Sequence, residues 1–178
     1  MIAPTGKVRD PALTRRHVLA AAIAVPLLAA CGFQPLYGAR GGVPVAQQMA
    51  TIKISVIGDR AGQQLRNFLL DRINPRGEPP RPLYRLDVSF GVTEQALAIR
   101  KDETTTRSNL LLAARFRLYG SQGAEPLFED TVSIAVSYDE VESEFASRAA
   151  ALQALETGSQ DVADEITTRL AAFFAGLG

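Results

Sequence analysis

Tyr84-Arg85-Leu86-Asp87-Val88-Ser89-Phe90-Gly91-Val92 is the cleanest period-two run in the chain, with aromatic or aliphatic residues alternating with polar residues or glycine. Successive side chains of a β-strand point to opposite faces, so this run predicts a long strand with one wet face and one dry face. A second alternating run follows the polar segment 100–107, placing Ala114, Phe116 and Leu118 on one face and Arg115 and Arg117 on the other. Ser121-Gln122-Gly123-Ala124-Glu125-Pro126 turns the chain again, and Phe128, Val132, Ile134, Val136 and Tyr138 mark a third long strand. Three strands joined by two polar loops imply an antiparallel meander.

Upstream, Ile52, Ile54 and Val56 alternate with Lys53 and Ser55 as a shorter strand closed by Gly58-Asp59. Asp59 is placed to cap a helix carrying Leu65, Phe68, Leu69 and Ile73 at spacings of three and four. Asn74-Pro75 ends that helix, and Pro79, Pro80 and Pro82 make the next stretch a loop. Downstream, from about Glu144 to Ala175, an Ala- and Leu-rich segment carries Phe145, Ala149, Leu152, Leu155, Val162, Ile166, Leu170 and Phe173 near helical spacing. Gly158 falls inside it, at a cost of roughly 1 kcal/mol relative to alanine, and marks either a kink or a break into two helices. The expected fold is α+β, a two-layer sandwich in the order β-α-β-β-β-α. A mostly antiparallel four-stranded sheet carries two helices on one face, because each helix has a single apolar stripe to bury.

The first thirty residues read as an address. Arg15 and Arg16 precede the apolar run that begins at Val18 and ends in small residues before Cys31. This is the order of a bacterial export signal. The run is short of the roughly 20 residues needed to span a bilayer. General secretion is the expected route, although Thr14-Arg15-Arg16-His17-Val18-Leu19 also looks like a twin-arginine signal. Leu28-Ala29-Ala30-Cys31 resembles a lipobox, in which the cysteine is acylated and becomes the mature N-terminus. Cys31 is the sole cysteine, so no internal disulfide and no multi-cysteine metal site is possible. The expected organisation is a signal peptide at 1–30, an acylated tether at 31–48 and one α+β domain at 49–178. A tether of roughly seventeen residues spans at most ~55 Å.

Composition narrows the function further. The chain holds 19 Lys+Arg against 19 Asp+Glu, which disfavours a nucleic-acid partner. Removing residues 1–30 takes four basic residues and Asp10, leaving 15 basic and 18 acidic residues and a net charge of −3. It also removes His17, the one histidine, so the mature domain is expected to hold no histidine-dependent triad, general base or zinc site. Only Asp139, Glu140, Glu142 and Glu144 gather several carboxylates, the set a paired-carboxylate hydrolase would need. The plainer reading is that they precede and begin the last helix, where negative charge is favourable. The absence of histidine fits a non-enzyme, with a hydrolase built on these carboxylates as the competing reading, and no metal or cofactor is expected beyond the diacylglyceryl and N-acyl groups on Cys31.

Arg100, Lys101 and Arg107 cluster at the first hairpin, where arginine and lysine suit a phosphate, and Arg115 and Arg117 continue a basic stripe. The competing reading is a solvated strand face.

The lipobox followed directly by Cys31-Gly32-Phe33-Gln34-Pro35-Leu36-Tyr37-Gly38 resembles the LptE family of lipopolysaccharide-assembly lipoproteins, especially its alphaproteobacterial branch. The resemblance extends to the element order and to Val136-Ser137-Tyr138 leading into an acidic helix start. It implies a lipoprotein of the outer membrane, anchored on the periplasmic side and seated within the lumen of the β-barrel LptD. There it would serve as plug and assembly chaperone for lipopolysaccharide insertion, touching lipopolysaccharide through Arg100, Lys101 and Arg107. The alternative from the same residues is a lipid-anchored binding module of another envelope or secretion complex.

Overall fold

The computed structural model describes residues 43–97 and 106–177. Its elements are α1 (Val45–Met49), β1 (Ile52–Ile54), α2 (Asp59–Ile73), β2 (Tyr84–Leu97), β3 (Thr106–Gly120), β4 (Pro126–Glu140) and α3 (Glu144–Gly176). The expected order is thus preceded by one short helix. Val45 and Met49, its two ends, are buried, so the stretch read as tether up to Gln48 is helical from Val45 and already belongs to the core.

The sheet order is β1-β2-β3-β4. β1 pairs in parallel with the start of β2, Ile52 opposite Tyr84 and Ile54 opposite Leu86, and α2 is the crossover such a pair requires. β2, β3 and β4 form the expected antiparallel meander, with Val88 opposite Phe116 and Phe116 opposite Asp130. A bulge between Leu118 and Tyr119 takes up one residue beside the 121–125 turn.

The period-two readings select the core. Leu86, Ala114, Phe116, Leu118 and Val132 are buried on the face the helices cover. α3 packs over β3 and β4, while α2 lies beside it over β1 and the start of β2. Leu65, Leu69 and Ile73 form the buried stripe of α2, and Val162, Ile166 and Leu170 that of α3. Near the 121–125 turn, Phe128 and Phe173 stack at 5.0 Å and Phe174 meets Tyr84 edge-on at 5.1 Å.

Two local expectations are corrected. Asp59 does not cap α2: Gly58 occupies the cap position, no side-chain capping bond forms, and Asp59 lies at φ 60°, a left-handed conformation aspartate tolerates better than most residues. Gly158 does not divide α3, which is one helix of 33 residues. The acidic cluster precedes and begins the last helix as read: Asp139 and Glu140 close β4, and Glu144 lies in the first turn of α3, behind Ser143, whose hydroxyl caps Ala146 N–H. Among the described residues no helix is long and apolar enough to cross a membrane.

Candidate functional site

The sheet is covered on one side only, so the opposite face is a surface built row by row by the strand register. At one end Lys53, Arg85 and Tyr119 stand in line, followed by Asp87, Arg117 and Glu129. Gly91, Ala113 and Ser133, then Thr93, Leu111 and Ala135, make a flat, small-residue centre. Arg107 and Asp139 stand at the far end.

The arginines on this face are paired with its carboxylates. Arg117 Nε lies 3.1 Å from Glu129 Oε2 and Arg115 Nε 3.7 Å from Glu129 Oε1. The hydrogen bond from Arg117, reinforced by both arginines' charge, holds the Glu129 carboxyl below the usual glutamate range, and Glu129 in turn raises the Arg117 guanidinium. Arg85 Nε lies 3.3 Å from Asp87 Oδ1, which also accepts from Ser55 Oγ at 2.5 Å, and the Arg85 guanidinium covers the Tyr119 ring at 4.6 Å. Arg115 and Arg117 therefore form a ladder of alternating sign rather than a basic stripe, which favours the solvated-face reading for these two.

The covered side has a gap. Along β2 the burial of inward residues falls away from the start of the strand: Leu86 is buried, Val88 and Phe90 are half-buried, and Val92 is 37% exposed. Phe145, Leu152, Ser159 and Ile166 recur every seven residues, two helical turns, and so share one stripe of α3. Ser159 and Ile166 are fully buried, whereas Leu152 is 57% and Phe145 85% exposed. The difference goes with length, because α2 has 15 residues beside the 33 of α3 and cannot accompany the longer helix over its whole length. Phe145 and Leu152, read from sequence as part of a buried stripe, are instead exposed apolar side chains, as is Val92.

A polar cluster lies on the covered side towards the β2–β3 hairpin end. Tyr138, 9% exposed, donates its hydroxyl to Glu94 Oε1, and Ser108 Oγ donates to Glu140 Oε1 at 2.6 Å. The bond to Glu94, with burial second, pushes the Tyr138 hydroxyl up to about 12. Sequence reasoning did not single out Glu94 or Tyr138 as a pair. Their contact depends on the register Glu94–Leu110–Val136, one row from Tyr138.

The sequence matches the LptE family, described as lipopolysaccharide-assembly, over residues 49–170, more than half the chain. The chain belongs to the LptE family. LptE-family lipoproteins are associated with the cell envelope, and the family is one of assembly proteins rather than enzymes. Solved structures share the fold. A chain from Caulobacter crescentus CB15 described as a lipoprotein has 20% identity and a TM-score of 0.63, covering 75% of this chain and 97% of that one. The minor lipoprotein from Acinetobacter baumannii has 22% identity and a TM-score of 0.53, covering 68% and 91%. Rare lipoprotein B from Shewanella oneidensis has 12% identity and a TM-score of 0.55, covering 71% and 97%. No curated protein sequence matches the chain.

In this LptE-family chain, Cys31, Arg100 and Lys101 lie outside the described residues. Arg107 is the second residue of β3, on the uncovered face, with its Nε 3.2 Å from Asp139 Oδ1. Of the four acids considered for hydrolysis, Asp139 is thus engaged by Arg107 and Glu140 by Ser108, on opposite faces of β4. Among the described residues no cluster of His, Cys, Asp and Glu is arranged to hold a metal ion.

Proposed function

We propose that this LptE-family protein is an outer-membrane lipoprotein, acylated at Cys31, that plugs and helps to assemble an LptD-like β-barrel for insertion of lipopolysaccharide into the outer leaflet. The observation that carries the reading is the uncovered sheet face. It is long, laced with ion pairs and uncharged at its centre, and a wet barrel lumen lined by polar residues is a suitable surface to meet it. Multiple acyl chains, each CH₂ contributing about 0.8 kcal/mol on burial, give stable anchoring.

The hairpin end suits contact with lipopolysaccharide itself. The segment joining β2 to β3 carries Arg100 and Lys101 in sequence, Arg107 follows it, and Val92 of β2 and Phe145 and Leu152 of α3 are exposed apolar side chains. Cations together with exposed apolar side chains match a ligand that carries both phosphates and acyl chains.

The test is an affinity pull-down of tagged protein from detergent-solubilised outer membrane, with mass spectrometry of the retained proteins and of the mature N-terminal peptide. A near-stoichiometric large barrel, lost when Ala113 and Ala135 are both changed to Lys, is the expected result. Acylated Cys31 with no barrel would keep the anchor and discard the plug.

A further inference from the structure

β2 is much longer than its neighbour on one side. β1 pairs with it only from Tyr84 to Leu86, whereas β3 runs beside it from Tyr84 to Leu97 without a shift in register. The bonds to β1 fix which backbone groups point that way: Tyr84 N–H donates to Thr51 O, and Leu86 O accepts from Ser55 N–H. Alternate residues of a strand send their N–H and C=O to the same side. Val88, Phe90, Val92 and Glu94 therefore direct four N–H and four C=O groups past the end of β1. Among the described residues no backbone bond reaches them.

An open edge is ordinarily blunted by charge, proline or cover. The other edge of the sheet, β4, is: it starts at Pro126, carries Glu129, Asp130, Asp139 and Glu140, and lends Thr131 O to Arg169 Nη1 at 3.1 Å. The β2 edge has none of this. Between Val88 and Glu94 the one charge is Glu94, and its Oε1 is taken by Tyr138. The inward side chains of the same row also lack cover, Val88 and Phe90 being half-buried and Val92 37% exposed. An added strand completes such an edge, supplying both the missing ladder and apolar side chains beside that row.

Size decides the occupant. Val88 to Glu94 makes an edge ~23 Å long and ~10 Å deep, so two copies of the chain paired by it would cover roughly 500 Å² in total, well short of the ~1,200 Å² of a stable interface. The strand must come from a partner held by other contacts as well, which raise its local concentration at the edge. The uncovered sheet face supplies those contacts.

We propose that the β2 edge from Val88 to Glu94 is a second contact for the partner seated on the uncovered face, pairing with an extended segment of it that alternates apolar with small uncharged residues. A closed barrel has no free edge, so the segment lies outside the barrel wall. The inference rests on the barrel reading and adds to it a contact made by backbone pairing.

The test compares the full tagged lipoprotein with its Val92→Pro variant in the same pull-down from solubilised outer membrane. Val92 N–H faces the open edge, so proline there removes no bond to β3. Retention of the barrel is expected to fall about tenfold, the loss that one or two hydrogen bonds account for. In the purified wild-type complex, amide exchange over 88–94 is expected to slow at the four outward N–H groups relative to the free protein. Equal retention, or equal exchange in complex and free protein, overturns the proposal. If Val92→Pro fails to fold, the exchange comparison on the wild type decides alone. Retention lost with Ala113 and Ala135 changed to Lys but kept with Val92→Pro strikes the edge and leaves the barrel reading, whereas no barrel with the wild type strikes both. A dimer of the free protein that Val92→Pro dissolves would assign the edge to a second copy and overturn the proposal as well.

Discussion

Gly158 of α3 approaches Leu112 of β3 so closely that a Cβ on it would lie 2.8 Å from Leu112 Cδ1 and 2.9 Å from Cδ2. Val136 Cγ2, at 3.0 Å, closes the remaining side, and Leu112 is fully buried and has nowhere to swing. The glycine costs helix propensity, and the sheet requires it nonetheless. Gly158→Ala would gain roughly 1 kcal/mol of propensity and lose about 1–3 kcal/mol to overpacking. The expected outcome is a net loss of about 1 kcal/mol in urea unfolding. An unchanged or higher midpoint would mean that Leu112 moves aside.

Tyr138 and Glu94 make a second measurable pair. A tyrosine raised from 10.0 in the unfolded chain to about 12 when folded holds its proton more tightly in the native state. Its contribution to stability is intact below about pH 10 and is lost as pH rises towards about 12. Glu94→Gln removes the charge and should return Tyr138 towards the ordinary range. Ultraviolet titration of tyrosinate, with Tyr138→Phe identifying the absorbance step of interest among four tyrosines, checks this. Identical titrations for wild type and Glu94→Gln would sink it.

Acid should act in the opposite sense on the ion pairs that join α3 to β4. Arg169 donates to Asp130 Oδ2 at 2.6 Å, to Thr131 O at 3.1 Å and to Glu165 Oε1 at 2.7 Å. The Thr131 N–H, then Arg169, holds the Asp130 carboxyl below the usual aspartate range. A carboxyl lowered by folding stabilises above its unfolded pKa, and that stability disappears as pH falls through the folded value. Arg169→Met should flatten the acid limb of a stability–pH curve while costing no more than about 1 kcal/mol near neutrality, since the group is partly exposed. An unaltered acid limb would show that Asp130 is held by its backbone bond alone.

Most of the sheet was legible because period two is a strong signal wherever one face is wet. Tyr84 to Val92, Ala114 to Leu118 and Phe128 to Tyr138 all placed their apolar residues inward as read. What the sequence leaves unsaid are relations between elements. Val45 to Met49 spans too few residues to show a period, so α1 looked like tether. The pairing of Arg115 and Arg117 with Glu129 depends on register, which the alternation of a single strand does not contain. Gly158 has the propensity of a helix breaker, and only the closeness of Leu112 explains an unbroken helix around it. Phe145 and Leu152 lie on the apolar stripe of α3, but helical spacing does not reveal where α2 begins.

That difference in helix length yields the prediction that separates binding from folding. Phe145 and Leu152 share a stripe with the buried Ile166, yet they are exposed. Exposed residues away from caps and networks change stability by about 0.5 kcal/mol or less on substitution. Phe145→Ser with Leu152→Ser should therefore leave the unfolding midpoint nearly unchanged. Leu65→Ala, in the buried stripe of α2, should cost about 2–5 kcal/mol. If these two side chains take the acyl part of a lipid, the double variant should weaken retention of lipopolysaccharide in a manner insensitive to salt. Reversing Arg100, Lys101 and Arg107 to Glu should weaken it most at low ionic strength. Measuring lipopolysaccharide retention across a salt series for both variants decides the matter. Full retention by the double serine variant would make Phe145 and Leu152 a protein contact, and full retention by the charge-reversed variant would leave those three cations as ordinary surface charge.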